Sequence, residues 1–392
     1  MKYLKYLIFF VAFLSITAFK IQITNPNLRP FRLYIENFNA AEGKNVYSYV
    51  VSNLKLLPNF ELSSSKDGVD FELSMGVEGD TFNAFVTNIK NGETYTFKLK
   101  HYNTDVVSNA NLLSDKIYEK ITQTKGFFTT NIVFSMNWKG IRQIFLTDIT
   151  GKAFKKLTNN KGDSIAPKIS HNRRYVVYTQ YLTGAGTALR LIDLETLEDK
   201  LLYSSKEINL AGGFEKDDKS VLFVAFDGKV SKVYELFFTD NNKKNELYRT
   251  RARVVTPVTT FDNGKIAFVS DEYGSPQVFL LNKSDKKITK ISQNPAYITS
   301  PSFTIHGTHY AYIGQSNGSR NIFITSLDGA DFVVLTHGSK NYEDPIWLSN
   351  ERFILTYTIK DNASKVILID IPTQQNIQLF SVPAKINYMS AN

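Results

Sequence analysis

The chain has 392 residues, 43% hydrophobic and 13% aromatic, with 29 Phe and 21 Tyr; that supplies two or three packed domains and excludes a largely disordered chain. It contains no cysteine, which rules out disulfides, thiolate metal sites, a cysteine nucleophile and an N-terminal lipidated cysteine. The net charge of +9 comes from scattered basic residues, with no basic helix, zinc spacing or aromatic RNA-binding signature; it reads as a solubilising surface or an acidic or anionic partner, not nucleic acid.

The first segment, "MKYLKYLIFFVAFLSITAFK", places Lys2 and Lys5 ahead of an uncharged apolar run from Tyr6 to Phe19. A bilayer span needs roughly 20 residues. Residues 1–20 therefore read as a secretory signal with Ala18 as the best small residue for cleavage; an uncleaved anchor is the alternative. Residues 21–128 do not repeat and read as a small α/β domain. "FRLYIENF" predicts a strand, and Val46, Tyr49, Val50 and Leu54 at helical spacing predict a helix. "NFELSS", "VDFELSMGVEGD", "TFNAFVTNIKNG" and "TYTFKLKHYN" predict strands, with Asn91-Gly92 as a hairpin turn. "SNANLLSDKIYEKITQT" predicts a helix with Leu113, Ile117 and Ile121 on one face.

From residue 129 the chain repeats itself. Strands starting at Ile132, Tyr175, Val221, Ile266, Tyr310 and Phe353 recur every 43 to 46 residues, each followed by a third apolar strand and a polar fourth. Runs ending near Pro167, Gly212, Pro257, Pro301 and Pro345 precede five of them. Four short strands in roughly 40–45 residues is the period of a propeller blade. Radial stacking lets blades cover one another's faces. Six second strands predict six blades over residues 129–392; a sandwich of hairpins is the alternative. The first blade lacks an innermost strand. The C-terminal "KINYMSAN" supplies it, with Ile386 and Tyr388 set against Pro301 and Phe303. Each Pro is expected to end a loop at the channel mouth, and the aromatic two residues later to pack between blades.

Motifs with chemical content are few. Gly314-Gln315-Ser316-Asn317-Gly318 has the nucleophile-elbow pattern, but "RNIFITS" after it reads as a strand where the elbow requires a helix. His306 and His309 lack further ligands nearby for a metal. The loop from Asp240 lacks the glycine and closing glutamate of a calcium loop. Asn282, Asn317 and Asn362 head glycosylation-type triplets, read as chance in a bacterial protein.

"SDKIYEKITQTKGFFTTNIVFSM", Ser114 to Met136, resembles the joint between domain and propeller in the TolB family of the Tol-Pal system. Asp115, Tyr118, Glu119, Lys120, Thr122, Lys125, Gly126 and Phe128 match the family's motif, with Gln123 where a Gly is usual and Asn111 where a His often stands. The blade turns are "HNRR", "KDDK", "DNGK", "HGTH" and "SNER" in place of the family's Ser-Pro-Asp-Gly. The resemblance implies a small N-terminal α/β domain followed by an all-β six-bladed β-propeller. It implies a non-enzymatic periplasmic scaffold without cofactor or metal, binding the lipoprotein Pal at the channel mouth and signalling to TolA through its N-terminal tail. The system supports outer-membrane integrity and cell division, and association with the outer membrane is peripheral, through partners.

Carried onto this sequence, the mouth comprises Ser164, Ala166, Asn209, Ala211, Val255, Thr256, Thr299, Ser300, Glu343 and Asp344, and the tail includes Ile21, Gln22, Ile23 and Thr24. Glu343 and Asp344 are expected to pair basic groups on the partner. A Pal-binding histidine of the family falls near Ile208. Two other functions compete: a propeller binding peptidoglycan or an oligosaccharide through its aromatic channel, and the propeller remnant of a serine hydrolase. The latter needs a hydrolase domain, for which six blades leave no room.

Overall fold

The computed structural model describes residues 28–184, 186–260, 264–292, 297–316 and 318–392. Residues 1–20, read from sequence as a signal segment, and Ile21, Gln22, Ile23 and Thr24, read as the tail, lie outside the described residues, as does Asn317.

Ahead of the repeats, five strands form one sheet in the order Phe60–Ser63, Phe31–Ile35, Phe71–Glu78, Thr81–Asn88, Thr94–Lys100. The first three run parallel. Parallel neighbours need a crossover, which helix α1 (Lys44–Lys55) provides between the first two strands of the chain. Helix α2 spans Val106–Thr122. Val46, Val50 and Leu54 of α1 and Leu113, Ile117 and Ile121 of α2 share one core with Leu33, Leu73, Phe82 and Val86 of the sheet.

The sequence placed the start of α2 at Ser108; the helix begins earlier because Asp105 caps it, accepting the Ser108 N–H at 3.1 Å. It ends on Gln123 at φ 57°, a left-handed position that favours glycine. The joint motif now has a physical reading. Asp115 accepts the N–H groups of Phe128 at 2.6 Å and Thr129 at 3.1 Å. A Cβ on Gly126 would lie 2.5 Å from the same carboxylate, so only glycine lets the linker turn there. Alongside it, Asn53 donates to Asn111 at 2.9 Å and Asn111 to Asp148 at 3.1 Å. This buried polar chain ties both helices to the propeller.

Six four-stranded sheets follow, each antiparallel. Blade one pairs Ile386–Ala391 with Asn131–Trp138, Ile141–Asp148 and Lys155–Lys156. The C-terminal strand is thus innermost in the first blade, and Asn131 and Asn392 exchange backbone hydrogen bonds at 2.9 and 3.1 Å. The innermost strands of blades two to six are Ser164–Ile169, Ile208–Phe214, Val254–Thr259, Ile298–Phe303 and Tyr342–Trp347. The second and third strands carry the apolar residues that fill the seams between blades. Phe214 and Trp347 pack between blades as expected for the aromatic after the repeated turn. Among the described residues, no helix is long and apolar enough to cross a membrane.

Candidate functional site: the central channel

All six innermost strands break register against their second strands at the same place. A bulge inserts an extra residue and re-aims side chains. Five bulges hold a non-glycine residue at positive φ: Ala166 (50°), Thr256 (49°), Ser300 (51°), Asp344 (39°) and Tyr388 (66°). Such backbone costs on the order of 1–3 kcal/mol per residue and persists where the surroundings over-determine it. In blade three the bulge contains Gly212, where a Cβ would lie 2.5 Å from the Pro257 carbonyl oxygen.

This corrects two sequence expectations. The repeated Pro does not end a loop at the mouth. Pro167, Pro257, Pro301 and Pro345 lie inside the innermost strands, directly after the residue at positive φ. The C-terminal strand is offset as well: Ile386 takes the place of Ile298, and Tyr388 that of Ser300 rather than Phe303. Apolar spacing alone cannot reveal where a strand bulges.

Beyond the bulges the six strands enclose a cavity of about 360 Å³. Its apolar walls include Phe214, Val258, Phe303, Ile346 and Met389. The turns into the second strands bound one end through His171, Lys216, Ile305 and Asn392. Three cationic or ionisable basic residues line it, Lys168, His171 and Lys216, against one acid, Asp344. His171 pairs with Asp218 at 2.9 Å. Desolvation inside the ring pushes the Lys168 ammonium below its ordinary range, only partly opposed by Asp344.

Of the ten residues expected at the mouth, Thr256, Ser300 and Asp344 line this cavity. Ser164, Val255, Thr299 and Glu343 stand toward the opposite ends of the same strands. Ser164, Ala166, Asn209 and Ala211 are buried and offer no surface to a partner. Asn209 instead donates to the Thr187 carbonyl at 3.1 Å and to Ser205 Oγ at 2.8 Å, closing the step between blades two and three. The two acids are also engaged. Glu343 pairs with Arg320, while burial raises its carboxyl to about 7. Asp344 accepts from Ser300 Oγ at 2.8 Å, the Met389 N–H at 3.0 Å and Tyr357 Oη at 3.4 Å. Both carboxylates thus have partners within the ring. Ile208, at the position of the family histidine, is 47% exposed. The residue sequence reasoning missed is Lys168, one lysine among many, distinguished only by the ring around it.

The other motifs resolve locally. Ser316 ends strand His309–Ser316 and is register-paired with Ser319 of the next strand, so strand follows strand without an elbow helix. His306 is exposed and bound to Glu351 at 2.9 Å, whereas His309 is buried. Among the described residues no group of three or more His, Asp or Glu could hold a metal ion.

A closed ring of six four-stranded blades around a channel, with an α/β unit ahead of it, defines the class: a six-bladed β-propeller protein with an appended α/β unit. The model of the TolB beta propeller domain matches residues 118–388, and the chain belongs to that family. It is 27% identical over 162 residues to a protein TolB homolog of Chlorobium luteolum, covering 41% of this chain and 36% of that one. It is 33% identical over 123 residues to the Tol-Pal system protein TolB of Rickettsia prowazekii, covering 30% and 28%. The matched stretches span about a third of these relatives' length. The fold compares with the crystal structure of TolB from Acinetobacter baumannii at a TM-score of 0.82 and 17% identity, over 94% of this chain and 98% of that one.

Proposed function

We propose that the protein is a non-catalytic periplasmic component of a Tol-Pal system, whose propeller channel receives a segment of the lipoprotein Pal and whose N-terminal tail addresses TolA. In this reading it supports outer-membrane integrity and cell division, and meets the outer membrane only through its partners. The observation that carries the proposal is the channel cavity of about 360 Å³ in a chain of the TolB family. A rigid ring holding a concave, mostly apolar cavity with a few polar groups is suited to binding. Absence of the elbow helix at Ser316 and the engagement of His306 by Glu351 support a non-enzymatic role.

The test is calorimetric titration of the whole chain with the purified soluble domain of Pal from the same cell. Saturable one-to-one binding is expected, and muropeptides should give no heat. Muropeptide binding without Pal binding would replace the proposal with a glycan-binding propeller.

A further inference from the structure

We propose that Lys168 is the recognition point of the channel cavity, and that it receives a carboxylate carried by an acidic, extended segment of a protein partner. The inference rests on the reading of the channel as a partner site and adds the chemistry of what enters it.

Lys168 follows the bulge of blade two and lines the cavity. No hydrogen bond or ion pair joins its Nζ to another described residue. Its desolvation is opposed only in part by the charge of Asp344, and a cation withdrawn from water is costly without a directly bonded acceptor. The one acid lining the same space, Asp344, already accepts from Ser300, Met389 and Tyr357. Thr256 lines the same cavity from blade four, but its Oγ1 is shielded and meets no ligand atom there. An ammonium carries three donors, and a carboxylate supplies two oxygens able to accept several such bonds.

The surroundings favour a carboxylate attached to a chain over a free acid. The walls next to the polar groups are apolar, with Phe214, Val258 and Phe303 available to the stem of an acidic side chain. At the rim Ile305 both lines the cavity and is 45% exposed, giving apolar surface outside the pocket for flanking residues. Lys216 at the same end adds positive potential on the way in.

The experiment selects binders from a library of randomised linear peptides displayed on phage, using the full chain as bait. Recovered peptides are measured against Lys168→Met, Lys168→Arg and Thr256→Val. Methionine keeps an unbranched apolar stem, so the fold is retained and the melting temperature should stay or rise. A falling melting temperature would mean that the ammonium is structurally paired, and would overturn the proposal. The expected peptides share one Asp or Glu at a fixed position. Their affinity for Lys168→Met should drop by about thirtyfold or more, with Lys168→Arg close to the original and Thr256→Val, whose hydroxyl is shielded, unchanged. Channel binders that lack an acid, or bind Lys168→Met equally, would overturn this inference while leaving the channel as a partner site. Recovery of no channel binder counts against both. Sodium glutarate is titrated in parallel: micromolar saturation that depends on Lys168 would move the carboxylate from a partner chain to a free diacid.

Discussion

Five seams of the propeller and the sixth are built differently. From blade one through blade six, the chain crosses each seam itself, leaving an outer strand and entering the next innermost strand. Those seams are filled by residues of the two blades concerned: Val177 and Leu189 meet Ala211 and Phe214, and Val224 and Val233 meet Ile266 and Phe268. Between blades six and one the chain crosses as well, from Gln375–Val382 into Ile386–Ala391, but that innermost strand is held to the second strand of blade one, Asn131–Trp138, by hydrogen bonds alone. There the core is shared by three parties. Phe353 and Leu355 of blade six and Phe134 and Met389 of blade one join Leu33 and Tyr118 of the α/β unit, with Phe127 and Phe128 of the linker between them. Phe127 lies 4.7 Å from Phe353 and 4.8 Å from Phe128. Hydrogen bonds add to this: the Ile386 N–H donates to Ser364 Oγ at 2.8 Å and the Met389 N–H to Asp344 at 3.0 Å. Blade one, whose innermost and second strands are joined by no peptide, is thus held by burial and hydrogen bonds, and the α/β unit is docked at that seam.

The largest test of this contrast removes residues 385–392. Blade one then loses its innermost strand and exposes an unpaired edge. We expect cooperative thermal unfolding to disappear and the protein to aggregate; a truncated protein that still melts sharply at the original temperature would remove the special status of the sixth seam. Next comes a matched pair, Phe127→Ala and Phe268→Ala. Each vacates a buried aromatic position at a cost of about 3–5 kcal/mol. They should differ in where the damage spreads. In hydrogen exchange, Phe127→Ala should release the amides of Ile386–Ala391 together with those of α2, whereas Phe268→Ala should act on blades three and four. Asp344→Ala is expected to cost about 2 kcal/mol, since it strands a Met389 amide at the closure. Denaturant unfolding reads that loss, and Asp344→Asn should recover part of it.

The smallest effect lies in an ordinary seam. Lys283 of blade four meets Glu215 and Glu235 of blade three, each at 3.1 Å. Burial is the main cause that raises Glu215 to about 7, with Lys283 opposing. The folded chain then holds a proton that the unfolded chain has released, so the stability contributed by Glu215 is present at low pH and is lost between about 4.5 and about 7. Glu215→Gln should flatten that loss and raise stability at pH 8 by about 1–2 kcal/mol. An unchanged pH profile would show that Lys283 fully compensates both acids.

The blades were legible because each repeat must bury two faces, and that need writes apolar strands at a constant period. The closing strand was legible from the same period. Asp115, Gly126 and Phe128 could be matched as a motif, but their reason, a carboxylate packed where a Cβ would sit, is visible only in three dimensions. The channel was less accessible to reading. Whether Asn209 faces a partner or Thr187 and Ser205 of the preceding blade is decided by how two blades stack, which leaves no compositional trace. Lys168 was hidden for another reason: its isolation is a property of five other strands, not of its neighbours in sequence.

The bulges also make the channel modular. Each blade contributes one residue at the same point, from Ala166 and Gly212 through Thr256, Ser300 and Asp344 to Tyr388. The seams, by contrast, are filled mainly from the second and third strands. Exchanging a side chain at Thr256, Ser300, Asp344 or Tyr388, the bulge residues that line the cavity, therefore changes the channel's chemistry while leaving most blade-to-blade packing in place. Four such positions form a combinatorial palette on a constant frame, a route by which descendants of one ring can acquire new ligands one substitution at a time.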